Sequence, residues 1–485
     1  MKPNVLVVVL DTVRAANCSV YGYDRQTTPR LSALRGESVR FEHTIAPATW
    51  TVPSHAAMFT GRYPSELGVH ARNKILPATA ETAADRLSHA GYETAIMSSN
   101  PFLTEGTGLH RGFDHRYTSG MRRALFEDAF DPARYIKTRE HEQGIQKIAE
   151  LAGELSSPLR DLPKNVLNAL YYKYRTTWGT GDGSDSHDPT QDDGATETIS
   201  EFKQWVPDDE PFFACLNFME AHTPFRYRDR FLPEWASMED VRALSQDRET
   251  YFRGEATLDD RQKELLQSLY DAEIRYLDEQ LQSLWTYLRD NDMWEDTLLV
   301  VTSDHGENLG EDGYIFHHSN LLGEHLVHVP LLVKYPDNKH AGATVEETVS
   351  LTNLYDTVVN AGEESTGRLN PLEPGMVTDL VRSEFVCLDP QHSTEEYVEP
   401  YRRLDVPSRA VYEGGTKYVL FGDGRAYTFE GSDDYGSLLD IEPGPLEKVP
   451  AHVRSFANLD VDLDSGEGIE VSDSVESRLE ELGYR

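Results

Sequence analysis

The run Val5-Leu6-Val7-Val8-Val9-Leu10, stopped by Asp11, constrains the fold of this chain more than any other stretch. Apolar and largely β-branched, it reads as the first strand of the fold. It is too short for the apolar core of a secretion signal and no cleavage site follows it, so it is not expected to be a leader. Later runs share its character: Phe212 to Phe218, Thr297 to Thr302, Val329 to Val333, and the shorter Glu93 to Met97. Helical patterns lie between them, near residues 27–36 and 80–90. The clearest covers 259–291, where Leu265, Leu266, Leu269, Ile274, Leu277, Leu281 and Leu284 recur at helical spacing. Strands alternating with helices predict an α/β fold with a mostly parallel central sheet.

That alternation lapses twice. From about 119 to 200, charged helical patterns give way to Gly179-Thr180-Gly181-Asp182-Gly183-Ser184-Asp185-Ser186-His187, which reads as an insertion with a solvated loop. Its aspartates lack the spacing of an EF-hand. Beyond about 365, Ala410–Tyr412, Lys417–Phe421 and Arg425–Phe429 resemble strands joined by Glu-Gly-Gly and Gly-Asp-Gly turns. They predict a small antiparallel sheet, followed by a terminal acidic helix. Two units are therefore expected: 1–365 with its insertion, and a small α+β subdomain over 366–485.

The 485 residues, 39% of them hydrophobic, suffice for a sizeable core. With 83 acidic residues against 46 basic ones the formal net charge is -37, which argues against a nucleic-acid partner. Acidic residues spread along the whole chain, with Arg outnumbering Lys, look like the surface of a protein from a high-salt cytoplasm. Such a field would repel an anionic substrate at low salt, so a site for one needs local cations. No apolar run approaches membrane-spanning length, and a cytoplasmic location is expected. Cys18, Cys215 and Cys387 are far apart, which implies neither a disulfide framework nor a thiolate metal site.

The stretch Thr49-Trp50-Thr51-Val52-Pro53-Ser54-His55-Ala56-Ala57-Met58-Phe59-Thr60-Gly61 predicts a short helix, with Pro53 in its first turn and Gly61 ending it. Thr51 then stands at the helix N-terminus, where unpaired N–H groups and the dipole favour an anion. On this stretch alone a capped helix start and a hydroxyl nucleophile are both open readings. Asp11 and Asp304-His305 each follow an apolar strand. In an open parallel sheet the strand ends line the ligand crevice, so these groups can converge. Two carboxylates, an imidazole and the Thr51 oxygen make a four-ligand site for a divalent metal, which would activate the hydroxyl and polarise an electrophile.

With these residues in place the sequence resembles the sulfatase family of the alkaline phosphatase superfamily, over nearly its whole length. Leu10-Asp11-Thr12-Val13-Arg14 and Tyr21-Gly22-Tyr23 resemble the first metal segment, while Thr51-Val52-Pro53-Ser54 and Thr60-Gly61-Arg62-Tyr63-Pro64 occupy the nucleophile motif. Gly91-Tyr92-Glu93-Thr94-Ala95, Glu220-Ala221-His222-Thr223-Pro224 and Tyr270-Asp271-Ala272-Glu273-Ile274 match a strand segment, a substrate-histidine loop and a helix signature. Thr302-Ser303-Asp304-His305-Gly306-Glu307 with Leu309-Gly310-Glu311 is similar to the second metal motif. The resemblance implies an alkaline-phosphatase-like α/β/α sandwich. It also implies that Asp11, Thr51, Asp304 and His305 hold a divalent ion, that Thr51 is the nucleophile, and that His222 and His318 contact the transferring group or leaving oxygen.

The departures bear on the chemistry. Sulfatases proper carry Cys or Ser where Thr51 stands and Arg where His55 stands, because their nucleophile is formylglycine; a threonine, whose side-chain carbon already bears a methyl group, cannot give that aldehyde. Thr12 replaces a second Asp, and Ser99-Asn100-Pro101 replaces a Lys and His. What remains resembles the phosphodiesterase-like and phosphoglycerol-transferase-like branch, in which an unmodified Thr attacks phosphorus. A phosphate mono- or diester is thus favoured, with a sulfuric ester hydrolase acting without formylglycine, a transferase, or a non-catalytic anionic-glycan binder as alternatives. The substrate is expected to be a small-molecule or glycan ester. Fewer carboxylates and a nitrogen ligand favour Mn, Zn or Mg over Ca. A second metal on Glu220, His222, His318 and His328 is a further option, with His317, His325 and His328 otherwise read as loop or packing residues. Asn100 is a candidate donor to a non-bridging oxygen or a turn residue before Pro101. Arg14 is a candidate cation for the substrate or a salt-bridge partner. Arg62 and His70 are read only as supporting groups.

Overall fold

The computed structural model describes residues 2–119, 194–317, 320–362, 372–373, 380–388, 394–398, 401–430 and 442–457. Its central sheet has nine strands: β1 (Asn4–Leu10), β2 (Val39–Ile45), β3 (Glu93–Ser98), β4 (His115–Thr118), β5 (Phe212–Phe218), β6 (Thr297–Thr302), β7 (His328–Val329), β8 (Leu331–Lys334) and β9 (Thr344–Ser350). They lie in the order β4-β3-β5-β1-β6-β8-β2, with β7 and β9 also paired to β2. The pairs β4/β3, β3/β5, β5/β1, β1/β6 and β2/β9 are parallel. Strand β1 is thus central, and its unbroken apolar run follows from burial on both faces. Val5, Val7 and Val9 face one core and Leu6, Val8 and Leu10 the other, as the period of two requires.

Seven helices matter for the site: α1 (Pro29–Leu34), α2 (Thr51–Thr60), α3 (Ala83–His89), α4 (Pro101–Thr104), α5 (Ala195–Trp205), α6 (Asp260–Asp290) and α7 (Asn353–Gly362). Helices α2, α3 and α7 fill the core under Val5, Val7 and Val9. The opposite core is built from α1, α5 and α6, whose Leu265 to Leu284 stripe is buried as its spacing predicted. The result is the predicted α/β/α sandwich. Helix α6 is capped by Asp259, whose side chain accepts from Gln262 N while Gln262 reaches back, a reciprocal pair that fixes the helix start.

One expectation is corrected. Val329 to Val333 is not one strand but β7 and β8, separated at Pro330, which has no N–H to give to a ladder. Both run antiparallel to β2, and the five-residue step from Arg40 to Ile45 is met by a four-residue step from His328 to Leu332. The end of the expected insertion, about 195–200, is the first half of α5; the rest of 120–193, like the terminal acidic helix, lies outside the described residues.

A second, antiparallel sheet comprises β10 (Val381–Phe385), β11 (Ser408–Glu413), β12 (Thr416–Phe421), β13 (Arg425–Glu430) and β14 (Gly444–Pro445), in that order. Gly414 and Gly415 close the β11/β12 hairpin with φ of 55° and 78°, the paired positive angles of a two-residue turn that matches strand twist. Strand β10 contacts the central unit through Glu384 N, which donates to Pro47 O at 2.9 Å.

Candidate active site

Strands β1 and β6 are adjacent and parallel, with Val9 opposite Thr302. Two residues beyond that pair stand Asp11 and Asp304, so the register alone sets the two carboxylates side by side. Neither is accessible to solvent, and neither is His305. Their ligand atoms lie within 4.8 Å of one another. His305 Nε2 is 3.8 Å from Asp11 Oδ1 and 3.6 Å from Asp304 Oδ2. The other ring nitrogen, Nδ1, lies 2.9 Å from Gly306 O, which can only accept, so in the neutral ring Nδ1 carries the proton and Nε2 presents a lone pair. A lone pair facing two buried carboxylate oxygens is repulsive unless a cation sits between them.

Hydrogen bonding makes the same point. Asp11 Oδ1, Asp304 Oδ2 and His305 Nε2 are buried and have no hydrogen-bond partner among the described residues. Their neighbouring oxygens are held: Asp11 Oδ2 accepts from Asn217 Nδ2 at 3.2 Å, and Asp304 Oδ1 accepts from His305 N at 3.0 Å and more loosely from Thr12 N. Burial, then repulsion from Asp304, pushes the Asp11 carboxyl well above the ordinary range, with Asn217 pulling the other way. Two hard oxygens and a nitrogen, oriented from behind and uncompensated in front, fit a divalent ion.

Thr51 is the first residue of α2 and fully buried; the cap position belongs to Trp50, which makes no side-chain cap bond. The Thr51 hydroxyl instead bonds to Asp11. Gly61 closes the helix at φ 69°, and a Cβ there would come within 3.1 Å of Tyr355, so both conformation and space call for glycine. Thr12 also adopts a left-handed φ of 63°, unusual for a β-branched residue. Its Oγ1 turns away from the carboxylates to donate to Ala221 O at 2.6 Å, while Tyr270 Oη donates to Thr12 O at 2.6 Å and accepts from Arg14 N at 2.9 Å.

His222 follows β5, with Nδ1 2.6 Å from Thr223 O. Its ring is 4.8 Å from that of His317, which is 5.0 Å from that of His305. His317, expected as a bystander, therefore stands in the crevice, with Nδ1 3.3 Å from Glu307 Oε2. His318 lies outside the described residues. The sequence offered no means of choosing between two adjacent histidines.

Arg14 is not a free cation: Nη1 and Nη2 bond Glu311 at 2.7 and 3.0 Å, and Nε donates to Glu307 O. Asn100 caps α4, its Oδ1 accepting from Phe102 N at 3.1 Å, which matches its turn reading. Its own N donates to Ser98 Oγ, which also accepts from the Asn217 amide that holds Asp11. Asn217 was missed, although a lone polar residue inside the apolar β5 run marked it. Of the residues considered for a second metal, His318 lies outside the described residues. Glu220 accepts from Ala195 N, and His328 Nε2 bonds Glu42 O at 2.7 Å beside the rings of Tyr21 and His43. Among the described residues, Asp11, Asp304 and His305 form the single such cluster. Arg62 bonds Glu66 O, and His70 lies 3.5 Å from Cys387 Sγ.

Fold and site together define a class: alkaline-phosphatase-like α/β/α proteins that carry a candidate metal cluster beside a helix-borne hydroxyl. The chain matches the family model described as Sulfatase over residues 3–363, and it belongs to the sulfatase family, a family of ester hydrolases. The ulvan-active sulfatase of Formosa agariphila is 25% identical over 74% of this chain, which spans 61% of that relative. Choline-sulfatase of Rhizobium meliloti is 24% identical over 92% of this chain and 81% of its own. Among solved structures, phosphonate monoester hydrolase of Agrobacterium radiobacter superposes with a TM-score of 0.60 at 20% identity, covering 88% of each chain. The likeness to that of Silicibacter pomeroyi is similar, 0.60 at 16% identity over 94% and 93% of the two chains. These structures agree in fold. Among the described residues no helix is long and apolar enough to cross a membrane.

Proposed function

We propose that the protein is a metal-dependent hydrolase that cleaves a phosphate mono- or diester of a small molecule or glycan through Thr51. The observation that carries this reading is the set of three uncompensated ligand atoms, Asp11 Oδ1, Asp304 Oδ2 and His305 Nε2, with the Thr51 hydroxyl bonded to Asp11. A divalent ion on these residues and Thr51 would lower the hydroxyl pKa and neutralise charge on the transferring group. Thr51 Oγ attacks phosphorus, the bond to the ester oxygen breaks, and a phosphothreonine forms as the Thr51 proton passes to solvent, from which it returns when hydrolysis frees Thr51. His222 or a histidine of the 317–318 pair protonates the departing alkoxide. The same group then takes a proton from the water that hydrolyses the phosphothreonine and restores Thr51. Glu307 serves by orienting His317.

A sulfate ester is the second reading, favoured by the names of the curated relatives, an ulvan-active sulfatase and a choline-sulfatase. A high-salt assay with Mn²⁺ separates them, comparing aryl sulfate, aryl phosphate and bis-aryl phosphate for wild type and Thr51→Ala. The phosphate esters are expected to turn over faster, and Thr51→Ala to lose about 10³-fold or more in kcat. Full activity in Thr51→Ala refutes the nucleophile, and strong preference for aryl sulfate refutes the phosphorus reading alone. A salt optimum in the molar range would support the high-salt cytoplasm inferred from the net charge of -37.

A further inference from the structure

His55 has no part in the reaction above, yet its imidazole is completely buried one turn along α2 from Thr51. Its Nδ1 lies 3.0 Å from the Thr51 main-chain oxygen and 3.5 Å from Asp304 Oδ2. The carbonyl can only accept, so Nδ1 bears the ring proton and gives it to Thr51 O, while the same N–H edge faces Asp304 Oδ2 without bonding it. The far nitrogen, Nε2, is buried without a hydrogen-bond partner among the described residues, and the ring meets Phe59 edge to face at 5.6 Å. The preceding residue acts on the same target: Ser54 Oγ donates to the Asp304 main-chain oxygen at 2.6 Å. Consecutive side chains of α2 therefore address Asp304, Ser54 by a hydrogen bond to its backbone and His55 by setting its N–H edge 3.5 Å from the carboxylate oxygen that belongs to the metal cluster.

We propose that Ser54 and His55 are positioning residues that fix Asp304 relative to Thr51, a role that rests on reading Asp304 as a metal ligand and Thr51 as the nucleophile. The choice of imidazole has a physical rationale. Where sulfatases proper carry Arg, an imidazole here faces the Asp304 Oδ2 oxygen. A neutral N–H dipole orients that oxygen and leaves its charge to the ion. Because the same N–H also reaches Thr51 O, the ligand and the helix turn bearing the nucleophile are held as one unit.

The test uses His55→Phe, which keeps a ring against Phe59 and removes the N–H, and His55→Asn, which returns an N–H near the former Nδ1. Mn²⁺ affinity is titrated without substrate, metal-free melting is recorded, and kcat and KM are measured on the best ester. His55→Phe is expected to bind Mn²⁺ about tenfold more weakly and to lose about tenfold in kcat, with KM within about twofold, and His55→Asn to recover most of both. A folded His55→Phe with wild-type Mn²⁺ affinity overturns the proposal. If His55→Phe does not fold, Ser54→Ala carries the same comparison: weaker Mn²⁺ binding supports the proposal, unchanged binding overturns it. Weakened Mn²⁺ binding alongside a fully active Thr51→Ala would refute the nucleophile reading and still support the hold on Asp304.

Discussion

Where the second sheet meets the central unit, buried Glu384 accepts from Ser65 N and Ser65 Oγ and pairs with Arg409 at 2.6 Å, and nearby Glu324 pairs with Lys417 at 2.7 Å while accepting from Tyr412. At the strand ends of the central sheet, Asp11 and Asp304 are as deeply buried, but each turns one oxygen toward a lone pair of His305. The junction matches acid with base inside the protein; the crevice collects like charges and leaves their faces open. Burial of a carboxylate therefore says little by itself. Which partner is supplied separates a strut from a site awaiting a ligand.

The sharpest way to break this contrast is to remove one charge from each place. Asp304→Asn should lose Mn²⁺ binding and about 10³-fold or more in kcat/KM, with metal-free melting no lower than wild type. Glu384→Ala should do the reverse. Stranding Arg409 beside an empty space is expected to cost about 3–5 kcal/mol in urea unfolding, with kcat per folded molecule within about twofold of wild type. A Glu384→Ala protein of normal stability would erase the distinction. A smaller effect sharpens it: Asp11→Asn relieves repulsion in the absence of metal and should raise metal-free stability by about 1 kcal/mol.

The smallest effect is a pair of opposite pH slopes. Burial and Asp304 raise the folded pKa of Asp11 above its unfolded value, so the metal-free fold holds that proton more tightly than the unfolded chain. Stability should then fall as pH rises from about 4 through the raised pKa, and saturating Mn²⁺ should remove the slope. For Glu324, burial pushes upward but Lys417 and its other partners override it, and the folded pKa is lowered. Its contribution is present above the ordinary carboxylate range and is lost as pH falls through the folded value. Urea titrations of wild type and Glu324→Gln across pH 3–8 (roughly the range of these groups), with and without Mn²⁺, check both signs.

Much of this was legible in the sequence because apolar runs and what ends them are local. Val5 to Leu10 and Thr297 to Thr302 announced buried strands, and the polar residues just past them were Asp11, Asp304 and His305. What was illegible depended on partners brought from far away. Arg14 advertises a cation, but only the fold puts Glu311 against it. Val329 to Val333 advertises burial, but an apolar run carries no direction, and its antiparallel pairing with β2 came from the route of the chain. Strand β10, Val-Arg-Ser-Glu-Phe, has too little apolar character to be seen, because its Glu384 is satisfied by groups contributed elsewhere.

The pairing of Val9 with Thr302 joins segments that lie far apart in the chain. Because strand side chains alternate between faces, sliding β6 by a single residue would send Asp304 away from Asp11 while the other strand pairs of the sheet kept their register. Metal uptake is therefore a gauge of alignment: during refolding, Mn²⁺ affinity should appear only when the middle of the sheet has closed in its correct register, later than the secondary structure itself.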